Sequence, residues 1–205
     1  MILRGLYAIT SEQICHSRER LLRAVGEALE GGARLIQYRD RWNSTQVRRD
    51  HAARLLELCS ARGAAFIIND DVELAASLRA GVHLGQADAP IARARAECGA
   101  TAIIGATCGN SLDRARTAVS NGASYVAFGR FFPSVTKPDA PPADLAVLRE
   151  ARAALSSPIC AIGGIKPDKV RALIEGGADM IAVVDGVFGA PDIRRAAAAY
   201  AEQFC

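Results

Sequence analysis

The chain is poor in aromatics, in lysine and in histidine, and each shortage closes off a class of function. Aromatics make up 5% of its 205 residues, and the net charge is only +3, with no basic block. Nucleic-acid binding needs a basic stripe or stacking rings, so none is expected. No apolar run reaches the length of a membrane span, so no membrane partner is expected. The opening MILRGLYAIT lacks a charged segment leading into a long apolar stretch and a small-residue cleavage site, so no signal peptide is expected either. There is no C-x-x-C pair. Cys15, Cys59, Cys98, Cys108, Cys160 and Cys205 are scattered, and His16, His51 and His83 do not cluster with them. That spacing speaks against zinc and for small buried thiols in a reducing, cytoplasmic setting. Lysine occurs three times against 22 arginines, so Lys137, in a loop with two hydroxyls, stands out.

What the chain does have is alternation. Short β-branched runs recur at 5–9, 34–39, 65–69, 81–85, 102–106, 124–129, 158–163 and 179–184. Between them lie amphipathic Ala/Leu/Arg-rich stretches at 18–30, 44–62, 71–79, 90–97, 111–120, 143–154, 167–176 and 191–203. The strands are mostly continuous apolar runs, the mark of a parallel sheet covered by helices. Eight unbroken βα units predict an α/β fold of the closed (β/α)8 barrel type, as a single domain over 1–205. An open doubly wound sheet is the rival. EGGARLIQ, RAGVHLG, SNGASYVAFG and EGGADMIAVV each put glycine ahead of a strand, where it is expected to supply a left-handed helix cap. The other end of the barrel, after the strands, is then where a site belongs.

Polar residues collect there. Gly163-Gly164 after strand 7 and Val184-Asp185-Gly186 after strand 8 form a phosphate-site pattern for such a barrel, with a short helix at 186–188. A carboxylate repels phosphate, so Asp185 is expected to cap that helix with its side chain turned away. Asp70 and Asp88 end adjacent strands about 4.8 Å apart, close enough to share one cation. With no His or Cys beside them they suit Mg²⁺. Each has a plainer reading: D-x-x-E from Asp70 to Glu73 resembles a capping box, and Asp88 can cap the next helix ahead of Pro90. Arg39 and Arg41, two apart, share a face. Together with Lys137 and a divalent cation they offer enough positive charge for a pyrophosphate, a leaving group that such charge activates.

QYRDR (37–41), IINDD (67–71), GVHLGQADAP (81–90), IIGATC (103–108), YVAFGRFFPSVTKP (125–138), AIGGI (161–165) and GADMIAVV (177–184) together resemble the thiamine phosphate synthase family over nearly the whole chain. The resemblance implies a barrel that joins hydroxymethylpyrimidine pyrophosphate to a thiazole phosphate, with Mg²⁺, and releases pyrophosphate. It implies that the segment of Gln37, Tyr38, Arg39, Asp40 and Arg41 holds the pyrimidine pyrophosphate, with Asn69 on the pyrimidine side and Thr107 and Lys137 near the pyrophosphate. Arg39, Arg41 and Lys137 would serve catalysis. Asp70 and Asp88 match the metal ligands. Ser134, Val135, Thr136, Gly164, Val184 and Asp185 match the thiazole phosphate site. Two departures stand out. Arg41 sits where the family usually has Lys, and Gly109 where it often has His. The related thiazole tautomerases share the barrel and, on this resemblance, use a histidine in that loop, which Gly109 cannot replace. A Schiff-base aldolase using Lys137 and a non-catalytic binder of thiazole or thiamine phosphates are the other readings. The expected partners are small phosphorylated molecules; whether the chain forms a homo-oligomer is left open.

Overall fold

The computed structural model describes residues 3–133 and 141–205. The apolar runs form eight parallel strands: β1 (Gly5–Ile9), β2 (Ala33–Tyr38), β3 (Ala65–Asn69), β4 (Gly81–Leu84), β5 (Ile104–Gly109), β6 (Tyr125–Phe128), β7 (Ile159–Ile162) and β8 (Met180–Val183). Each pairs with the next, and β1 pairs with β8 from Gly5–Met180 to Ala8–Val183. The sheet is therefore a closed barrel, and the open doubly wound rival falls.

Successive side chains along a strand face opposite ways. One set, Leu6, Ile36, Ile68, Val82, Ile104, Val126, Ile159 and Ile181, lies buried in the layer between sheet and helices. Each such side chain contributes about 1.5–3 kcal/mol on burial, so this ring fastens the helices to the sheet. The other set, including Tyr7, Ile9, Leu35, Ile67, Tyr125, Cys160 and Met180, fills the barrel itself. Both faces of every strand are buried, which is why the runs are continuous rather than alternating.

The helices are α1 (Glu12–Cys15), α2 (Arg18–Glu30), α3 (Thr45–Ala61), α4 (Val72–Leu78), α5 (Ile91–Cys98), α6 (Leu112–Ser120), α7 (Ala146–Ala154), α8 (Pro167–Glu175), α9 (Asp185–Phe188) and α10 (Ile193–Ala201). Ser17, Ser44, Asp71, Ser111 and Asp192 cap α2, α3, α4, α6 and α10 by side-chain oxygens. No described helix is long and apolar enough to cross a membrane. All six cysteines are free thiols.

Two sequence expectations change in detail. Strand β5 starts at Ile104, not 102, because Ala102 O is held in the preceding turn by Arg95 and Ser124. The strand then runs on to Gly109. The positive-φ residue of the turn is a glycine in three of the four repeats: the second of the pair in two, Gly32 and Gly177, and the lone Gly122 in the third. In RAGVHLG it is Arg79, at φ 54°. Gly81 lies inside β4 instead, where a Cβ would stand 2.8 Å from Ile103 O. There glycine serves close packing of backbones, not a cap.

Candidate active site

The strand period sorts the 37–41 segment into two faces. Gln37 points into the barrel, where its Nε2 donates to Tyr7 Oη at 2.7 Å. The backbone of Arg39 is pinned by Thr10, whose hydroxyl accepts from Arg39 N at 2.8 Å and donates to Arg39 O at 3.1 Å. The Arg39 guanidinium lies 5.5 Å from the centre of the Trp42 ring. Burial, with Arg41 alongside, lowers its pKa from the usual arginine value. Arg41 Nη2 donates to Asp70 Oδ2 at 2.6 Å.

The Tyr38 and Asp40 side chains turn away from solvent. Both are buried against α3, and the Tyr38 hydroxyl donates to Asp40 Oδ2 at 2.7 Å with His51 Nδ1 3.3 Å away. Asp40 also accepts from Trp42 N, Asn43 N and Asn43 Nδ2 at 3.0, 3.1 and 2.8 Å. Burial pushes its pKa up, but these hydrogen bonds outweigh that and hold it below the usual carboxylate range. Asp40 shapes the turn that carries the two arginines.

Neither Asp70 nor Asp88 caps a helix. The cap of α4 is Asp71, whose Oδ1 accepts from Leu74 N at 3.0 Å. Asp70 is the residue before it and takes a left-handed backbone, φ 64°. Helix α5 opens on Pro90 without a side-chain cap, while Asp88 Oδ2 accepts from Gly85 N within its own loop at 2.6 Å. Asp88 and Asn69 both lie within interaction range of the Asp70 carboxyl. Burial opposes charge on both. The neighbouring Asp88 and the Arg41 guanidinium nonetheless hold Asp70 below the usual carboxylate range. Burial and the neighbouring Asp70 push Asp88 above it. The two carboxyls therefore differ in their hold on a proton, Asp70 being the more readily charged. Among the described residues no cluster of three or more His, Cys, Asp or Glu could hold a metal. A carboxylate pair of this kind does not make a closed cage. It fits Mg²⁺, which keeps water and takes substrate phosphate as ligands.

Thr107 lies within β5 and not after it. Its Oγ1 meets His83 Nε2 at 2.9 Å. The pairing with β6 shifts register between Thr107 and Gly109, a bulge that turns Cys108 into the core. A side chain at Gly109 would start 3.4 Å from Gln86 Nε2 and 3.7 Å from Arg114 Nη1, so two donors flank the space it leaves. At Gly164 a Cβ would stand 2.8 Å from Phe132 O, so this glycine seats the segment after β6. Val184, not Asp185, occupies the N-cap of α9, and Asp185 is the first residue of that helix. Asp185 therefore stands one residue inside the N-cap position expected for it. Ser134, Val135, Thr136 and Lys137 lie outside the described residues.

Residues 6–187 match the family model described as thiamine monophosphate synthase. The chain belongs to the thiamine monophosphate synthase family. It is 55% identical over 193 residues to the thiamine-phosphate synthase of Thioalkalivibrio sulfidiphilus, covering 93% of this chain and 90% of that one. It is 52% identical over 203 residues to that of Nitrosococcus oceani, covering 98% and 93%. The solved thiamine phosphate pyrophosphorylase of Pyrococcus furiosus superposes with a TM-score of 0.87 at 35% identity, covering 98% of this chain and 95% of that one. Neither motif nor spacing singles out Tyr7, His83 and Tyr125 in the sequence. They point into the barrel beneath Gln37 and Thr107 and hydrogen-bond to one another. Their one signal is a polar group in an otherwise apolar strand, as in GVHLG.

Proposed function

We propose that this barrel joins hydroxymethylpyrimidine pyrophosphate to hydroxyethylthiazole phosphate, giving thiamine phosphate and pyrophosphate. Besides the family match, the observation that carries the reading is the Asp70–Asp88 pair. Two carboxyls stand side by side at neighbouring strand ends, neither caps a helix, and Arg41 is already on one of them. Asp70 and Asp88 would hold Mg²⁺, which supplies charge to the departing pyrophosphate. Arg39 and Arg41 orient the same group from β2. Gln37 and Asn69 line the pyrimidine end of that substrate, and Thr107 lies near its pyrophosphate. Gly164, Val184 and Asp185, with Ser134 to Thr136, receive the thiazole phosphate, and Lys137 takes charge from the leaving group. The electron-rich aminopyrimidine pushes out the pyrophosphate, and the thiazole nitrogen captures the cation left behind. That substitution needs no strong base or nucleophile. Its rate rests on positioning and on charge stabilisation. We place the reaction in the cytoplasm, a setting that suits six free thiols.

Incubation with both substrates and Mg²⁺ tests this. Thiamine phosphate and pyrophosphate should form in equal amounts, and formation should stop on chelation and resume on adding Mg²⁺. Tight binding of thiamine phosphate without turnover would instead make the chain a binder.

A further inference from the structure

Five side chains from five strands form one hydrogen-bonded line across the barrel. Gln37 Nε2 donates to Tyr7 Oη at 2.7 Å, Tyr7 and Tyr125 share a bond of 2.8 Å, Tyr125 Oη meets His83 Nδ1 at 2.8 Å, and His83 Nε2 meets Thr107 Oγ1 at 2.9 Å. In space the order is β2, β1, β6, β4, β5. Branched apolar side chains dominate the interior of such barrels, so a polar line here needs a reason. Its middle is fully enclosed, with Tyr125 at 0% and Tyr7 at 1% exposure. The rings are fitted to it. His83 and Tyr125 stack at 5.6 Å, and Tyr7 meets Tyr125 edge-on at 6.0 Å. A Cβ at Gly105 would overlap the Tyr125 phenol and lie 2.5 Å from His83 Nδ1. The bare glycine is what lets that pair close.

Such a line has a direction. A phenol carries one proton, and a neutral imidazole has one donor and one acceptor nitrogen. With the Gln37 amide donating to Tyr7, Tyr7 must donate to Tyr125 and Tyr125 to His83 Nδ1. His83 then carries its proton on Nε2 and gives it to Thr107. The Thr107 hydroxyl is left to donate outward, and Gln37 keeps its carbonyl oxygen for the rim. Reversal flips both ends together: Gln37 would show its amide protons and Thr107 only lone pairs. A mixed arrangement either leaves two acceptors facing each other or, with Tyr7 accepting from both Gln37 and Tyr125, leaves the Tyr7 proton without an acceptor in the barrel interior, which folded proteins rarely carry.

We infer that Tyr7, Tyr125 and His83 are positioning residues that lock the amide of Gln37 to the hydroxyl of Thr107, so that the pocket presents an acceptor at one end and a donor at the other as a matched pair. A ligand with an amino group at one end and an anionic oxygen at the other fits that pair. This rests on the proposed reading of Gln37 and Thr107 as contacts of the pyrimidine pyrophosphate. Burial raises the pKa of both phenols well above the usual tyrosine value, so neither loses its proton at working pH.

A double-mutant cycle on the full chain tests it. Gln37→Leu and Thr107→Val are made singly and together, in the wild-type and in a Tyr125→Phe background. Tyr7→Phe replaces the latter if Tyr125→Phe does not fold. The single-turnover rate and the dissociation constant for hydroxymethylpyrimidine pyrophosphate are measured. In the wild-type background the double variant should depart from the product of the single effects by roughly tenfold. With Tyr125→Phe the departure should shrink to within about twofold, the scatter expected of independent sites. Nitrogen-15 NMR of ligand-free protein reads the His83 tautomer separately: protonated Nε2 in the wild type, a mixture in Gln37→Leu and Tyr125→Phe. Independent effects in the wild-type background, with His83 nitrogens unmoved by Gln37→Leu, overturn the lock. A shifted tautomer with normal substrate binding in both single variants would keep the line but remove Gln37 and Thr107 from the substrate site.

Discussion

The two aspartates at the rim are placed at a cost in stability. Asp70 holds a left-handed backbone, and Asp88 sits against it with its pKa raised by burial and by that neighbour. Without a cation the pair is in conflict, and neither side chain offsets this by capping a helix. Asp88→Asn should therefore raise the melting temperature of the metal-free protein by about 2–4 °C, the change expected for roughly 1 kcal/mol in a chain of this length. Turnover should fall by at least about 100-fold. The rise in melting temperature that Mg²⁺ and pyrophosphate give the wild type should vanish. Calorimetry with and without Mg²⁺, beside a turnover assay, reads all three. Normal turnover with normal Mg²⁺ dependence would move the metal site elsewhere. Residue types at strand ends pointed to this pair from the sequence. What could not be read there was that both capping readings fail: the cap of α4 lies one residue on, at Asp71, and α5 opens on Pro90 with no side-chain cap.

Among the elements, two turns hold the argument for what each end of the barrel does. The turn after β2 is organised by Asp40, whose carboxylate ties Tyr38, Trp42 and Asn43. Asp40→Ala strands these donors and should cost about 3 kcal/mol. It should also raise the KM for hydroxymethylpyrimidine pyrophosphate by roughly tenfold, through misaimed Arg39 and Arg41. Asp40→Asn, which keeps an acceptor for the backbone donors, should recover part of both. The Asp40 pKa is depressed in the folded state, so its contribution is complete above the unfolded value near 4 and is lost as pH falls through the lower folded value. Urea titrations at several acid pH values should show that loss in the wild type and not in Asp40→Asn. At the opposite end, the Arg95 guanidinium donates to the carbonyls of Gly99, Ala100, Ala102 and Gly122 and to Ser124 Oγ. It staples the turns that lead into β5 and β6. Arg95→Ala should lower the melting temperature by roughly 4–8 °C, about 2 kcal/mol, with kcat unchanged. A fall in kcat of the same order as an active-site variant would contradict the division into a stabilising face and a reacting face.

For the whole molecule, closure is the decisive event. Helix α2 packs against α10, so the first and last βα units meet there. A Cβ at Gly31 would stand 2.7 Å from Ala197 Cβ and meet Arg194 O. Gly31→Val should cost roughly 2 kcal/mol through overpacking, yet leave unfolding a single transition by both far- and near-ultraviolet circular dichroism. Two separated transitions would show that the barrel does not close as a unit. The barrel itself was legible in the sequence because eight doubly buried strands leave eight apolar runs. α2 was legible to the residue because Ser17 starts it and its apolar stripe is regular. Less legible was whatever depends on which way a side chain turns. Tyr38 and Asp40 share a motif with Arg39 and Arg41, but Tyr38 lies on the outward face of β2 and Asp40 is buried in the turn beyond it. Tyr7, His83 and Tyr125 are far apart in the chain and meet only when the sheet closes.

The chain has one tryptophan, and it lies beside Arg39. Trp42 is 36% exposed, so its emission should lie between that of a buried and a solvated indole. A guanidinium drawn onto an incoming pyrophosphate must leave or turn on that ring. Fluorescence of the unmodified protein should then change when the anion arrives, before any bond is made, giving an optical clock for the binding step that needs no label.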